Sequence, residues 1–303
     1  MKFSIIIPTF NRKEHLKKTV ETLLHQSYDK FELIIADDGS SDGTELVVSD
    51  FKKRAWFPVK YFWQKNSGRS AARNLGIKNS ECDIVIFVDD HIILQKDFIY
   101  NHLKAYQKHC NKGPLVAVRG RSILVNKPED AFSFKGKLPL FKIDKRRIQD
   151  PFYTFITNNL SVKKAALEEV GGFDEDFKNY GFQDSELGYR LKKAGYSFKW
   201  QPEAVGFIFS CGHKEGAKWE RAYQVGLSAN IFAKKHPEAR FKVGVNLLNK
   251  LFYFLFRRSN ERKIKKWIKK KIFYSEKNNF KKADFYSYWI KHYYFCKGIF
   301  SNA

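Results

Sequence analysis

The run Ile84-Val85-Ile86-Phe87-Val88 is continuously apolar, rich in β-branched side chains, and ends abruptly in Asp89-Asp90-His91. A stretch of that length without polar alternation suits a central parallel strand covered on both faces. In open α/β sheets, ligands sit just beyond the carboxyl ends of such strands. Two carboxylates and an imidazole at that point suit a divalent cation with oxygen and nitrogen ligands, beside a substrate whose negative charge needs neutralising. The bland alternative is a solvated, Asp-rich turn.

The preceding sequence makes this strand one of a series. Phe3–Pro8 reads as a first strand, followed by Asn11 as the cap of a helix with Leu16, Val20, Leu23 and Leu24 on one face. Phe31–Ala36 is a second strand, ending in Asp37-Asp38-Gly39-Ser40. A helix over 43–53, a strand over Val59–Trp63 and a helix over Ser70–Lys78 complete the alternation that marks βαβ units and a doubly wound α/β sheet. Residues 122–156, with Pro128, Pro139 and Pro151, read as a long polar connection, a feature more often functional than incidental. Helices over Lys163–Val170 and Asp184–Ala194, the latter closed by Gly195, strands near Phe198 and Val205–Phe209, and a helix over Trp219–Lys235 follow. The expected organisation is 1–121, a nucleotide-binding half; 122–240, an acceptor-binding half of the same domain; and 241–303, a basic helical tail.

Composition narrows the class. With 43% hydrophobic residues and 29 Phe in 303 residues, the chain is not disordered. Its first residues lead directly into a strand, without the pattern of a secretory signal. The apolar stretch Val243–Phe256 is too short and too interrupted to span a bilayer. Cys82, Cys110, Cys211 and Cys296 are scattered, which fits a reducing cytosol better than a disulfide framework or a zinc knuckle. Of the net charge of +24, residues 241–303 carry +13. Charge alone does not choose among nucleic acid, anionic lipid and solvent as its partner.

Four blocks stand in a distinctive order: Pro8-Thr9-Phe10-Asn11-Arg12, Asp37-Asp38-Gly39-Ser40, Asn66-Ser67-Gly68-Arg69-Ser70-Ala71-Ala72-Arg73-Asn74, and Asp89-Asp90-His91. Over about residues 3 to 215 this resembles the family 2 glycosyltransferases. The resemblance implies a GT-A fold, a Rossmann-like mixed sheet with helices on both faces, a nucleoside-diphosphate sugar donor and inversion at the anomeric carbon. It implies donor binding by Pro8, Thr9, Asn11, Arg12, Asp38, Asn66, Arg69, Arg73 and Asp90. Asp38 would accept a hydrogen bond from the imide N–H of uracil, which cytosine lacks, so the implied donor is a UDP-sugar. Guanidinium groups such as Arg73 offer bidentate donors to ribose and pyrophosphate.

Asp89-Asp90-His91 departs from the usual Asp-x-Asp and is similar to the Asp-x-His of the polypeptide N-acetylgalactosaminyltransferases. The implied metal ligands are Asp89, His91 and a downstream histidine, for which His213 is the candidate, with Mn2+ favoured over Mg2+ by the imidazoles. The segment Gly171-Gly172-Phe173-Asp174 through Tyr180-Gly181-Phe182-Gln183-Asp184-Ser185-Glu186 resembles a galactosyltransferase-like acceptor segment, with Gln183 in place of Glu. Asp184 is the implied general base and Glu186 the second choice, although a carboxylate at a helix start is also a cap. The expectation is a hexosyl- or N-acetylhexosaminyl-transferase acting on a glycan or lipid-linked saccharide in surface polysaccharide synthesis. A sugar nucleotidyltransferase and a basic nucleic-acid-binding protein are the alternatives, and no nucleic-acid module is recognisable.

The tail adds a location. Ile264, Trp267, Ile268 and Ile272 recur at helical spacing among lysines, and Tyr286, Tyr288, Trp289, Tyr293 and Tyr294 follow. That pattern suggests an amphipathic helix on an anionic membrane surface, so the expected place is the inner face of the cell membrane, peripherally bound from the cytoplasm. Packing of the apolar stripe on the catalytic domain is the alternative.

Overall fold

The structure, a computed structural model, describes residues 1–109, 115–132, 150–209, 217–256 and 291–300. They divide into two compact units: Met1–Lys178 with Asp184–Cys211, and Asn179–Gln183 with Gly212–Ala303. Position 121 falls inside a strand, Leu115–Val125, and the division comes near Cys211.

The first unit is built on a mixed sheet. Strands β1 (Phe3–Thr9), β2 (Phe31–Asp37), β3 (Val59–Trp63) and β4 (Ile84–Val88) run parallel in the spatial order β3-β2-β1-β4. Helices α1 (Lys13–Glu21), α2 (Thr44–Arg54) and α3 (Arg69–Lys78) make the connections. Every residue of β4 is buried, as its unbroken apolar sequence requires. The rest of the sheet consists of β5 (Ile92–Leu94), β6 (Leu115–Val125), β7 (Asn159–Lys163) and β8 (Ser197–Phe209). It continues β4-β7-β6-β8-β5, with β7 antiparallel to both its neighbours. Helices α4 (Phe98–His109), α5 (Pro128–Phe132), α6 (Pro151–Thr154), α7 (Lys164–Glu169) and α8 (Gln183–Lys193) lie between or after these strands. The expected long connection at 122–156 is therefore partly regular: β6 runs to Val125, and α5 and α6 occupy its ends.

Two local expectations are corrected. Asn11 does not cap α1; it adopts a left-handed conformation (φ 50°) and Arg12 takes the cap position. The two short strands near Phe198 and Val205 are one strand, β8, whose pairing with β6 shifts register between Gly120 and Arg121.

Strand β7 is central yet polar, and its burial rests on a hydrogen-bond network. His102 of α4 meets Ser161 Oγ through Nδ1 (2.9 Å) and Asn159 Oδ1 through Nε2 (3.0 Å). The Asn159 amide donates to the carbonyls of Arg121 and Ala204, both at 2.9 Å. Burial of His102 pulls its pKa down to about 4 from an ordinary 6.5. Between those values the unfolded chain binds a proton that the folded chain refuses, so stability rises with pH across the window and is lost as pH falls through it. The contribution is roughly 3 kcal/mol. Unfolding of the parent and of His102→Gln in urea between pH 7 and pH 4 checks this, since the parent is expected to lose that much more than the variant.

The second unit contains α9 (Ala217–Lys235), a 3-10 segment Pro237–Val243, α10 (Leu247–Phe256) and α11 (291–300). Backbones touch where α9 meets α11: a Cβ on Gly226 would lie 2.1 Å from the Phe295 carbonyl, and one on Gly298 would lie 2.1 Å from that of Tyr223. Only glycine permits that approach. Tyr293 and Tyr294, expected at a membrane interface, are buried here, with Trp219 stacked parallel to Tyr294 at 6.2 Å. Ile264, Trp267, Ile268, Ile272, Tyr286, Tyr288 and Trp289 lie outside the described residues. No helix among the described residues is long and apolar enough to cross a membrane.

Candidate active site

The parallel register brings the sequence blocks to one edge. Thr9 pairs with Asp37, and Asp37 with Trp63, so the carboxyl ends of β1, β2 and β3 are level. Beyond β4, Asp90 is buried and receives hydrogen bonds from Thr9 Oγ1 (3.0 Å), His91 Nδ1 (3.1 Å) and Arg12 Nη1 (3.4 Å). Burial opposes its ionisation, but the His91 bond, the Arg12 charge and the Thr9 hydroxyl outweigh it and hold its carboxyl below the ordinary range. Asp90 thus orients His91, and with Nδ1 engaged the ring presents Nε2 for coordination, the arrangement that usually supports a metal-ligating histidine. Asp89, whose Oδ1 lies 3.4 Å from Arg73 Nη2, and His91 are oxygen and nitrogen donors of the kinds a divalent cation takes. Their expected partner His213 lies outside the described residues, among which no group of three ligating side chains converges.

The Asp37-Asp38-Gly39 turn is tied to the loop before α3. Asp38 is buried and accepts from Gln64 Nε2 (2.7 Å), Ser67 N (2.9 Å) and Gly68 N (2.8 Å). A carboxylate has about four acceptor sites, so one remains. Asp37 is occupied by Ser40 N and Tyr61 Oη, and burial with that bond raises the Tyr61 pKa and keeps it a phenol donor. Gly39 has φ 93°, and a Cβ there would come within 2.8 Å of Asn66 N. The left-handed Asn11 reaches the same turn, accepting from Ser41 N and donating its own N–H to Ser40 Oγ. Pro8 pairs opposite Ala36 near the end of β1, while Asn66 and Arg69 are exposed at the start of α3.

Arg73 sits between two carboxylates. It is buried, with Nη2 3.4 Å from Asp89 Oδ1 and Nη1 3.4 Å from Asp184 Oδ1, and its Nε has no hydrogen-bond partner among the described residues. Its guanidinium lies 5.5 Å from the ring centre of Phe173, which packs edge-on against Phe87. Asn74, next to it on α3, clamps this turn by donating to the Phe173 carbonyl and accepting from the Phe173 N–H. On the other side, Asp184 Oδ2 accepts from both the N–H (3.0 Å) and the hydroxyl (2.9 Å) of buried Thr157. Arg119 adds a second positive group near Asp184; burial lowers its pKa to about 10, opposed by the Asp184 charge, and it remains a cation at neutral pH.

A sequence profile described as glycosyl transferase family 2 matches residues 4–171, more than half of the chain. The chain belongs to this family. A second profile, described as the N-terminal domain of galactosyltransferase, matches residues 139–214. Validoxylamine A glucosyltransferase of Streptomyces hygroscopicus subsp. jinggangensis is 30% identical over 269 residues, covering 77% of this chain and 61% of that protein. Chondroitin synthase of Pasteurella multocida is 30% identical over 227 residues, covering 65% of this chain and 23% of the synthase. The chain thus spans less than two thirds of either relative. Among solved structures, the mannosyltransferase PcManGT from Pyrobaculum calidifontis in complex with GDP-Man and Mn2+ superposes with a TM-score of 0.65 at 17% identity, covering 100% of this chain and 88% of that one. Staphylococcus aureus TarS 1-349 in complex with UDP-GlcNAc gives 0.58 at 16% identity, covering 100% and 91%. The fold is GT-A, and the family 2 transferase reading replaces the nucleotidyltransferase and nucleic-acid alternatives.

Within this family 2 chain the second candidate base changes character. Glu186 is buried and forms a two-pronged ion pair with Arg190, Nε to Oε1 and Nη2 to Oε2, both at 2.8 Å. Arg190 also binds the carbonyls of Val170 and Gly172, so Glu186 braces the Gly171-Gly172 turn through it. Gln183, where the acceptor segment usually has Glu, donates to the Asn179 carbonyl (2.6 Å) and accepts from Gly181 N (3.0 Å). A glutamate could not make the donor half of that brace. Thr157, Asn74, Phe173 and Arg119 were not singled out from sequence, because their partners are distant in the chain; only the Gly-Gly-Phe-Asp turn gave a local sign.

Proposed function

We propose that this chain is an inverting, metal-dependent glycosyltransferase that moves a hexosyl or N-acetylhexosaminyl group from a UDP-sugar to a glycan or lipid-linked saccharide in surface polysaccharide synthesis. The observation that carries the reading is the Asp184 carboxylate, held by Arg73 on one oxygen and by Thr157 on the other, with the same Arg73 paired to Asp89 at the end of β4.

Asp38, with one acceptor site to spare, supports uridine through the imide N–H. Thr9, Arg12 and Asp90 stand at the head of the same sheet edge, and Asn66, Arg69 and Arg73 supply donors for ribose and phosphate. Asp89 and His91, with His213, would hold the cation, and a bound divalent ion would supply Lewis-acid stabilisation of the leaving diphosphate. Two imidazoles favour Mn2+ over Mg2+. Asp184 accepts the acceptor hydroxyl proton while that oxygen attacks the anomeric carbon in line and the bond to the diphosphate breaks. The single displacement inverts configuration and needs no covalent intermediate. The basic region 241–303 brings the enzyme to the inner face of the membrane, where lipid-linked acceptors are displayed.

Thermal shift with UDP, GDP and UDP-sugars, each with and without Mn2+ or Mg2+, tests this, because a ligand specific to the folded state raises Tm. UDP with Mn2+ is expected to give the largest rise, and His91→Ala and His213→Ala are each expected to reduce the Mn2+-dependent part by at least tenfold in apparent affinity. A larger response to GDP would overturn the uridine assignment, and an unchanged response in His213→Ala would remove that ligand.

A further inference from the structure

In α10 the side chains divide into two arcs. Asn249, Phe252, Tyr253 and Phe256 face inward: Phe252 packs on His292 of α11 at 4.9 Å, Tyr253 on Phe300 at 6.1 Å, and Phe252 and Phe256 join the Tyr293–Tyr294 cluster. Asn246 caps the helix by accepting from Asn249 N (2.9 Å), and Asn249 returns a bond to the Gly244 carbonyl (2.8 Å), which fixes how the helix is rotated. The opposite arc, roughly 120° wide at 100° per residue, carries Leu247, Leu248, Leu251, Phe254 and Leu255. These five are 39% to 78% exposed, and Lys250 at the edge is the sole charge in the helix. Few soluble proteins expose so continuous an apolar helix face.

We infer that the outward face of α10 inserts into the surface of an anionic bilayer. The inference deepens the membrane assignment made for residues 241–303 and names the contact. Charge complementarity selects the occupant: Arg257 and Arg258 follow α10 directly in sequence, and Arg262, Lys263, Lys265, Lys266, Lys269, Lys270 and Lys271 come within the next thirteen residues, against the single acid Glu261. An apolar helix face followed in sequence by a polybasic segment supplies the two signals that stable peripheral binding requires, burial of apolar side chains and attraction to anionic headgroups. A partner of mixed surface charge would not require that density of one sign. The inner arc meets α11, and the Asn246 and Asn249 bonds set the rotation that turns the leucines outward.

The test uses the full chain and vesicles of phosphatidylcholine with and without 30 to 40 mol% phosphatidylglycerol, on the order of a cytoplasmic leaflet's anionic charge. The parent is expected to co-sediment with anionic vesicles, reversibly with salt, and not with neutral ones. The triple variant Leu248→Glu, Leu251→Glu, Leu255→Glu changes only exposed positions and is expected to weaken vesicle binding at least tenfold while its UDP-induced rise in Tm stays equal to the parent's. A milder variant with asparagine at the same three positions keeps the net charge, and it is expected to weaken binding at least threefold. Undiminished binding by the asparagine variant would overturn the inference and leave attraction by the basic segment alone. A parent that ignores vesicles but dimerises in solution, with the triple variant monomeric by light scattering, would overturn it in favour of a second copy of the chain. Absence of any nucleotide response in the parent would count against the transferase assignment separately, whatever the vesicles show.

Discussion

Asp184→Asn is expected to lower turnover by about 10² to 10⁴-fold, the usual range for loss of a general base, with UDP affinity changed less than threefold. The amide has nearly the shape of the carboxylate, and its oxygen can still accept from the N–H and hydroxyl of Thr157. Its nitrogen then faces Arg73 Nη1, where the parent has an oxygen at 3.4 Å, and a nitrogen cannot take a proton there. The measurement is turnover at saturating donor, beside UDP affinity by thermal shift. Parallel loss of both would mark Asp184 as an anchor for Arg73 and not as a base. Glu186 would not inherit the role, because Arg190 occupies both its oxygens. Glu186→Gln is correspondingly expected to reduce stability more than turnover.

What could be read in advance follows from how local each signal is. Strand β4 was legible to the residue because an unbroken apolar run bounded by polar turns carries its own limits. The Asp37-Asp38 turn and the Asp89-Asp90-His91 turn were legible as strand ends, and parallel register then places them on either side of the end of β1. Strand β7 was not. Asn159 and Ser161 look like loop residues until His102, more than fifty positions earlier, is seen to satisfy them. Helix α4, which carries that histidine, went unread for the same reason: part of its inward face is polar. The Glu186–Arg190 pair, in contrast, had a sign in the sequence, since opposite charges four apart on a helix commonly pair. Spacing to Asp184 drew more weight than that sign. Asn11 shows a similar competition, in which two bonds to the Ser40–Ser41 turn prevail over capping of α1.

Arg73→Met should lower stability by about 3 kcal/mol, the low end of what breaking a buried pair costs, because Asp89 and Asp184 are each partly exposed and water recovers some of the loss. At roughly 2–4 °C per kcal/mol for a domain of this size, Tm should fall by about 6–12 °C. The methionine keeps the aliphatic stem and removes the guanidinium that lies over Phe173 and joins the two carboxylates. Lysine should rescue little, since a single ammonium cannot present two separate N–H groups to two acids in the planar geometry of a guanidinium. A double-mutant cycle with Asp184→Asn separates the bridge from general loss of packing. If Arg73 acts through Asp184, the penalty for removing it should shrink by about 1 kcal/mol or more in the Asp184→Asn background. Equal penalties in both backgrounds would mean that Arg73 is held by Asp89 and Phe173 alone. In that case the link between the end of β4 and Asp184 is steric proximity without energetic coupling.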